Sequence, residues 1–184
     1  MSEKSSDPVL LWLDLEMTGL DPENDLILEV AVIATDFDFN ELFSYQTKIN
    51  QNQEMVLSRI SKNPFFDDFK ENKKIFSEVT ENYPVLIEAE NRILDLIENN
   101  TLEESAIYLA GNSIHMDRKF ISKYMPKFDR RLHYRMLDVS SFKIVMNQKY
   151  NKQFIKTNQH RAMSDIEESI NELKFYLKEL GLKV

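Results

Sequence analysis

The sequence contains no cysteine, and among its 184 residues there are only three glycines and one tryptophan. Without thiols, disulfide bridges, thiolate metal sites and cysteine nucleophiles are all excluded. Any catalytic metal must therefore take oxygen or nitrogen ligands, from carboxylates and histidine. The sequence also lacks the apolar run of about 18 residues that a membrane span requires, and it starts with a short polar segment. We therefore expect a soluble, cytoplasmic protein with no membrane partner.

Basic residues are also in short supply, with 23 Lys and Arg against 31 Asp and Glu, a formal net charge of −8. This balance argues against long non-specific tracking along nucleic acid. It does not exclude a nuclease, because a carboxylate site adds negative charge that bound cations neutralise. Two basic clusters could contact phosphates, although such clusters are more often solvated surface: Lys70, Lys73 and Lys74, then Arg130, Arg131, His133 and Arg135.

The apolar content of 42% is enough for one hydrophobic core, so we expect a single domain over residues 1–184, with a disordered tail over 1–7. The first half predicts an antiparallel meander of three strands, at Val9–Met17, 26–36 and Leu42–Ile49. Short helices are expected over 50–83. An amphipathic helix with Pro84 in its first turn follows, and its apolar face is Leu86, Ala89, Ile93 and Ile97.

The second half predicts a short buried strand over 106–110, closed by Gly111, and three helices. Two of them span about Met116–Tyr124, ending before Pro126, and about Val139–Asn147, with Asp138 as its N-cap. The last helix ends at Gly181, a natural C-terminal cap. Together these elements predict a mixed α/β domain. The apolar residues of the last helix recur at spacings of three and four: Ile166, Ile170, Leu173, Leu177 and Leu180.

The first strand carries two carboxylates within an apolar run. Because side chains alternate along a strand, Asp14 and Glu16 share one face with Trp12. Buried side by side they would repel each other and cost several kcal/mol per uncompensated ion. Either this face opens into a cleft or cations bind on it; the simpler alternative is an edge strand with two solvated acids.

Two further acids stand at the starts of predicted helices. Asp117 follows the Gly111 turn, where loops at strand ends often carry functional groups. Asp165 begins the final helix, and His160 precedes it on a loop. Each of these acids could equally be a residue that favours a helix N-terminus, and a lone histidine is more often structural.

The order of these motifs is more informative than each motif alone. The order D-x-E, N-x-x-x-x-D and H-x-A-x-x-D resembles the DEDDh exonucleases of the RNase H-like fold. The segments LWLDLEMTGLDPENDLILEVAVIATD, GNSIHMDRKFISKYMP, HYRMLDVSSFK and HRAMSDIEESINEL are most similar to the oligoribonuclease family. This resemblance implies an α/β RNase H-like mixed sheet, an antiparallel meander plus parallel strands flanked by helices.

The resemblance also implies an activity, the removal of nucleotides from the 3′ end of very short RNA by two-metal-ion phosphodiester hydrolysis. Asp14, Glu16, Asp117 and Asp165 would hold two Mg²⁺ or Mn²⁺ ions, which prefer oxygen ligands. His160 would be the general base that accepts a proton from the attacking water.

Six residues match substrate-binding positions of the family. Leu20 would wedge against a base, and Phe65 falls where a stacking tryptophan is common. A closed phosphate pocket would explain a preference for dinucleotides, because a longer strand could not pass. Phe65, Lys70, His115 and Met116 depart from the family pattern. The residues expected to bind the far phosphate are Ser113, Tyr134, Arg135 and Ser140.

The resemblance further implies a homodimer, for which four apolar side chains would suit a subunit contact, although a place in the core is as reasonable for each: Phe142, Val145, Phe154 and Ile155. Two other functions stay open. A related exonuclease could trim longer RNA or single-stranded DNA, and a catalytically silent module could bind nucleotides without turnover.

Overall fold

The computed structural model describes residues 4, 6–68, 82–155 and 161–183, and five strands there form one mixed sheet in the order β3-β2-β1-β4-β5. β1 pairs antiparallel with β2, and β2 with β3, whereas β4 and β5 run parallel to β1. The predicted meander with added parallel strands is confirmed. The strands are β1 (Val9–Met17), β2 (Ile27–Thr35), β3 (Glu41–Lys48), β4 (Ile107–Gly111) and β5 (Met136–Asp138).

Seven helices lie in the described part of the chain: α1 (Gln53–Ile60), α2 (Phe65–Asp68), α3 (Leu86–Asn100), α4 (His115–Tyr124), α5 (Pro126–Arg131), α6 (Val139–Tyr150) and α7 (Ala162–Glu179). The sequence did not predict β5 or α5. Pro126 does follow the end of α4, but it also begins α5, because proline suits the first turn of a helix. Pro84 precedes the N-cap Val85 and does not lie inside the first turn. The expected short helices over 69–81 lie outside the described residues.

The alternation of side chains along β1 divides the core into two layers. Leu11, Leu13 and Leu15 pack on one face, against α3, α4 and α5. Leu10 and Trp12 pack on the other face, beneath α7. The predicted separation of the two faces of β1 is confirmed, and it places Asp14 and Glu16 on the side that α7 covers.

The two predicted helix caps form as expected. Asp138 accepts a hydrogen bond from the Ser140 backbone N–H at the start of α6. Gly181 adopts φ 72° after α7, and the Leu182 N–H donates to the Leu177 carbonyl (3.0 Å), which satisfies the free carbonyls of the last turn. Leu180 departs from the predicted apolar face, because it lies past the end of the helix and is 42% exposed.

No helix in the described ranges is both long and apolar enough to cross a membrane. The cytoplasmic location stays a prediction.

Candidate active site

Three carboxylates meet where β1 passes beneath the start of α7. Asp14 and Glu16 come from β1, and Asp165 comes from the first turn of α7. Each offers an oxygen within 4.8 Å of the others, and all three side chains are partly exposed. This face therefore leaves the three acids partly accessible, and an edge strand with solvated acids is excluded, since β1 is the central strand of the sheet.

The site is open because β1 extends beyond the last residue that pairs with its parallel neighbour, β4. Its pairing with β4 extends only to Trp12 opposite Ala110. Gly111 then turns the chain away, and a Cβ there would lie 2.9 Å from the Leu13 carbonyl oxygen, so a side chain does not fit. Beyond this point the described chain places no strand on the β4 side of β1, to which the Leu15 N–H points, although β2 still pairs with Leu15 on the other side.

Asp117 supplies the missing partner for that amide. Its Oδ1 accepts the Leu15 N–H at 3.1 Å, from the first turn of α4. Asp117 is only 6% exposed and is not part of the group of three acids. The expected fourth carboxylate therefore borders the site, and it is held by a backbone hydrogen bond of the sheet.

Burial and charge repulsion raise the pKa of two of these acids. The pKa of Glu16 is raised to about 8, first by burial and then by the charges of Asp165 and Glu29. The pKa of Asp117 is raised to about 7 by burial, which its hydrogen bonds only partly offset. Several partly buried carboxylates that resist ionisation together are a suitable oxygen donor set for hard divalent cations.

A fifth acid and an arginine border the site and were not singled out in the sequence. Glu29 lies opposite Glu16 on β2 and is 1% exposed. It accepts hydrogen bonds from Gln46 and from Arg161 Nη2, the latter at 3.1 Å. Arg161 is the N-cap residue of α7, and its charge lowers the pKa of Glu16. The available signal was a lone glutamate inside the apolar run ILEVAVIAT.

The predicted general base, His160, lies outside the described residues, as does Lys70. The described chain resumes at Arg161, next to His160 in sequence and four residues before Asp165. The general-base role of His160 stays a prediction.

Two of the predicted phosphate residues come together between β4 and α6. The hydroxyl oxygens of Ser113 and Ser140 lie 3.2 Å apart. Ser113 has φ 50°, and its backbone N–H donates to Asp138 Oδ1 (3.0 Å) and to Ser140 Oγ (2.9 Å). His115, one of the departures from the family pattern, lies 3.7 Å from Asp138. Met116 is partly exposed beside it, and nothing in the structure explains that substitution.

The other two predicted phosphate residues lie elsewhere. Tyr134 and Arg135 precede β5, whereas Ser140 follows it. Tyr134 is 74% exposed, stacks on His133 and lies 5.3 Å from the Arg135 guanidinium. The two residues form an exposed cation–aromatic pair at the opposite end of β5 from Ser140.

Leu20, the residue predicted to contact a base, lies on a turn that several hydrogen bonds hold in place. Its side chain is 66% exposed and lines a hollow of about 390 Å³ together with Arg59, Lys62 and Pro64. Phe65 begins α2 next to this hollow, 38% exposed and edge-on to buried Phe66. The two predicted base-contacting residues thus lie on neighbouring elements.

Comparisons with known proteins agree with this geometry. A model of the RNase_T family, described as Exonuclease, matches residues 11–173. An oligoribonuclease of Francisella tularensis subsp. novicida is 41% identical over 180 residues, covering 93% of this chain and 95% of the relative. An oligoribonuclease of Corynebacterium glutamicum is 39% identical, covering 92% and 78%. The human mitochondrial oligoribonuclease is 38% identical, covering 91% and 71%.

Solved structures extend the likeness to the fold. E. coli exonuclease I in complex with an oligonucleotide superposes with a TM-score of 0.62 at 14% identity, covering 94% of this chain and 40% of that one. Exonuclease I from Methylocaldum szegediense gives a TM-score of 0.61 at 15% identity, covering 94% and 40%. The chain thus spans about two fifths of these enzymes, and the likeness confirms the RNase H-like fold alone. Together with the sequence matches, the carboxylate site shows that this chain belongs to the RNase_T exonuclease family and, within it, to the oligoribonucleases.

Proposed function

We propose that this protein is a 3′-to-5′ exoribonuclease that degrades short RNA oligomers to mononucleotides. The observation that carries the proposal is the meeting of Asp14, Glu16 and Asp165 at one opening, in a chain about 40% identical to oligoribonucleases. Three carboxylates at one place can hold the divalent cations that hydrolysis of a charged phosphodiester requires.

The four carboxylates Asp14, Glu16, Asp117 and Asp165 would hold two divalent ions, and we favour Mg²⁺ or Mn²⁺ because both prefer oxygen ligands. Such ions supply charge that stabilises the attacking and leaving oxygens of the phosphodiester. The chain's own part is to hold the donors in place. Asp117 is fixed by the Leu15 amide, and Asp165 is fixed by the first turn of α7.

We assign the proton transfer to His160. An imidazole can accept a proton near neutral pH, and the residue directly precedes Arg161, whose contact with Glu29 fixes the start of α7 beside the acids. The assignment predicts that His160→Ala slows hydrolysis but leaves metal binding intact.

Substrate length would be set by the distance between the carboxylates and the Ser113–Ser140 pair. We infer that these two residues bind the far phosphate of a dinucleotide beside the start of α6. Because the Ser140 hydroxyl donates to Asn112, the Ser113 hydroxyl is the one that would donate to the phosphate, with Ser140 supporting it. Leu20 would contact a base from the braced turn. Phe65, Tyr134 and Arg135 are proposed as further contacts of the nucleotides.

We also propose a homodimer, in which the exposed face of α6 meets a second copy. Val145 is 51% exposed and lines an apolar hollow of about 350 Å³ with Phe142, Tyr150 and Leu180. Ile144 on the same helix is 64% exposed. Phe142 and Phe154 are partly buried against the protein's own core, and Ile155 is 85% exposed. Val145 and Ile155 are therefore the stronger contact residues of the four predicted.

The function is tested by following 5′-labelled RNA oligomers of two to about ten nucleotides, with Mn²⁺ and with chelator, and resolving every product length. Fast, metal-dependent cleavage of the dinucleotide with slow attack on longer strands is the expected result. Even trimming of all lengths, or equal activity on single-stranded DNA, would move the protein to the general exonucleases. Binding without turnover would indicate a silent module.

A further inference from the structure

Behind the paired serines lies a chain of buried polar contacts that none of the assigned roles uses. Glu172 on α7 is completely buried, a costly position for a carboxylate unless its oxygens are paired. Its Oε1 accepts the Tyr176 hydroxyl at 2.9 Å and lies 3.6 Å from Lys143 Nζ. Its Oε2 accepts the Asn112 side-chain amide at 3.0 Å.

Within this series of contacts, Asn112 is the residue next to the paired serines. Its Nδ2 donates to Glu172 and also to Ser169 Oγ at 2.9 Å, and its Oδ1 accepts the Ser140 hydroxyl at 3.1 Å. The amide can take only one orientation. A carboxylate can only accept, so Nδ2 must face Glu172, and Oδ1 must face Ser140.

The same contacts reach the carboxylate site. Ser169 Oγ donates to the backbone carbonyl of Asp165 at 2.7 Å, one turn earlier in α7. Asn112 therefore connects α7, the helix that carries Asp165, to Ser140 at the proposed phosphate site. Asn112 and Ser113 are also adjacent in the chain, so a shift of Asn112 would move both serines.

We propose that Asn112 is a positioning residue for substrate length: held by buried Glu172, it fixes the two serine hydroxyls at a set distance from the carboxylates. The proposal rests on the proposed role of Ser113 and Ser140 in binding the 5′ phosphate of a dinucleotide. Asn112 itself would not touch the substrate. Its effect would be to make the phosphate site rigid before the substrate arrives.

The decisive variant is Asn112→Asp, which keeps the shape of the side chain and replaces its donor with an acceptor. Two carboxylates would then oppose each other, and their repulsion would push the side chain away from Glu172 and displace the oxygen that accepts the Ser140 hydroxyl. Exchanging the partners restores the pairing between positions 112 and 172, because in Asn112→Asp/Glu172→Gln the glutamine amide donates to the new carboxylate and its oxygen still accepts from Tyr176. The donation from position 112 to Ser169 stays lost. The buried negative charge is also conserved.

The readout is the ratio of kcat/KM for a 5′-phosphorylated dinucleotide to kcat/KM for the same dinucleotide without that phosphate. A merely structural role would lower both values together. We expect Asn112→Asp to reduce the ratio by about tenfold, the equivalent of one good charge-assisted contact, and the double variant to recover most of it. Thr101→Val is the matched control, since it removes a buried hydrogen bond to the Ile97 carbonyl at the C-terminal end of α3; its ratio should be that of wild type.

Each outcome has a separate meaning. A wild-type ratio near one would overturn the phosphate role of the serines, and with it the proposed function of that site. A normal wild-type ratio that Asn112→Asp leaves unchanged would overturn the positioning role alone. Failure of the double variant to recover would overturn the link through Glu172. If Asn112→Asp does not fold, Ser169→Ala and Glu172→Gln each remove one partner of Asn112, and unchanged ratios in both would overturn the proposal.

Discussion

At the scale of single residues, Asp14 provides the most direct test of the carboxylate site. Asp14→Asn keeps the size of the side chain but removes its charge, so we expect turnover of a dinucleotide to fall by ~10²-fold or more, a loss of about 3 kcal/mol in transition-state stabilisation. The melting temperature should stay near or above that of wild type, since a repulsive charge is lost. Asp95→Asn on the exposed surface of α3 is the matched control. Near wild-type turnover in folded Asp14→Asn protein would rule out the metal assignment.

The raised pKa of Glu16 predicts an unusual pH dependence of stability in metal-free protein. Its pKa lies near 8 in the folded state and near 4.5 when unperturbed, so the unfolded chain releases this proton first. The contribution of protonated Glu16 to the free energy of unfolding is therefore fully present below about pH 4.5, and it is lost as the pH rises to about 8. Asp117, raised to about 7, acts in the same direction.

This dependence can be measured by thermal unfolding with a chelator between pH 5 and 8. The melting temperature of wild type should fall across this range, and it should fall less in Glu16→Gln. Added Mn²⁺ should restore stability most at pH 8, where the carboxylates are ionised. Asp21 and Asp36, whose pKa values are lowered, affect stability only below about pH 4. A melting temperature that rises with pH in the chelator would contradict the burial of Glu16.

Among individual residues, the sequence predicted the positions that depend only on the local periodicity of a strand or helix. The alternation in β1 places Asp14 and Glu16 together, and the periodicity of α7 places Asp165 in its first turn. The roles of Glu29 and Asn112 could not be predicted. Both depend on partners more than 50 residues away, in Arg161 and Glu172, and one sequence carries no signal for such contacts.

At the scale of elements, the Glu29–Arg161 contact attaches the start of α7 to β2. We expect Arg161→Met to lower the free energy of unfolding by about 1–3 kcal/mol, because it leaves Glu29 charged and buried; the loss is below that of fully buried pairs since Arg161 is 37% exposed. Urea denaturation of both single variants and of Glu29→Gln/Arg161→Met gives the coupling energy.

The control for that cycle is Lys152→Met, which breaks an exposed ion pair with Glu179 and should cost at most about 1 kcal/mol. Simple additivity of the Glu29 and Arg161 variants would mean that the contact does not hold α7.

The turn that carries Leu20 is a second element with a measurable function. Tyr124 on α4 donates its hydroxyl to the carbonyls of Pro22 (2.8 Å) and Asp25 (3.1 Å). Asp25 in turn accepts the Thr18 hydroxyl at 2.8 Å. Tyr124→Phe should make the turn that carries Leu20 less rigid and raise KM for a dinucleotide several-fold. We expect little change in kcat, because ground-state and transition-state contacts to the base weaken equally.

Steady-state kinetics check this prediction, with Tyr45→Phe as the control. Tyr45 is partly buried against the same core layer as Tyr124, but it belongs to β3, the edge strand of the sheet. An unchanged KM in Tyr124→Phe would mean that Leu20 does not depend on this brace.

The elements that sequence did predict are those with a strong period, such as β1, α3 and α7. The short ones were missed for physical reasons. β5 has only three residues, too few for alternation to be visible, and it is stabilised by pairing with β4. α5 begins at a proline, which is read first as the end of a helix.

At the scale of the whole molecule, the exposed apolar face of α6 predicts the state of assembly. Val145→Asp should convert a dimer to a monomer, because a charge in the centre of an apolar contact stays unpaired. Light scattering after gel filtration measures the mass. Glu98→Lys on α3 is a surface control. A monomeric wild type at micromolar concentration would refute the proposed homodimer.

One backbone amide links the stability of the central strand to the proposed metal site. The Leu15 N–H, left without a strand on the β4 side in the described chain, is satisfied by the Asp117 carboxylate. A substitution at Asp117 would therefore leave a polar group of the central strand unpaired while it weakens the catalytic site, so the two losses cannot be separated by mutation. Mutational tolerance at Asp117 should consequently be low. With the proposed metal role of Asp117, selection for folding and selection for catalysis would act there on the same side chain.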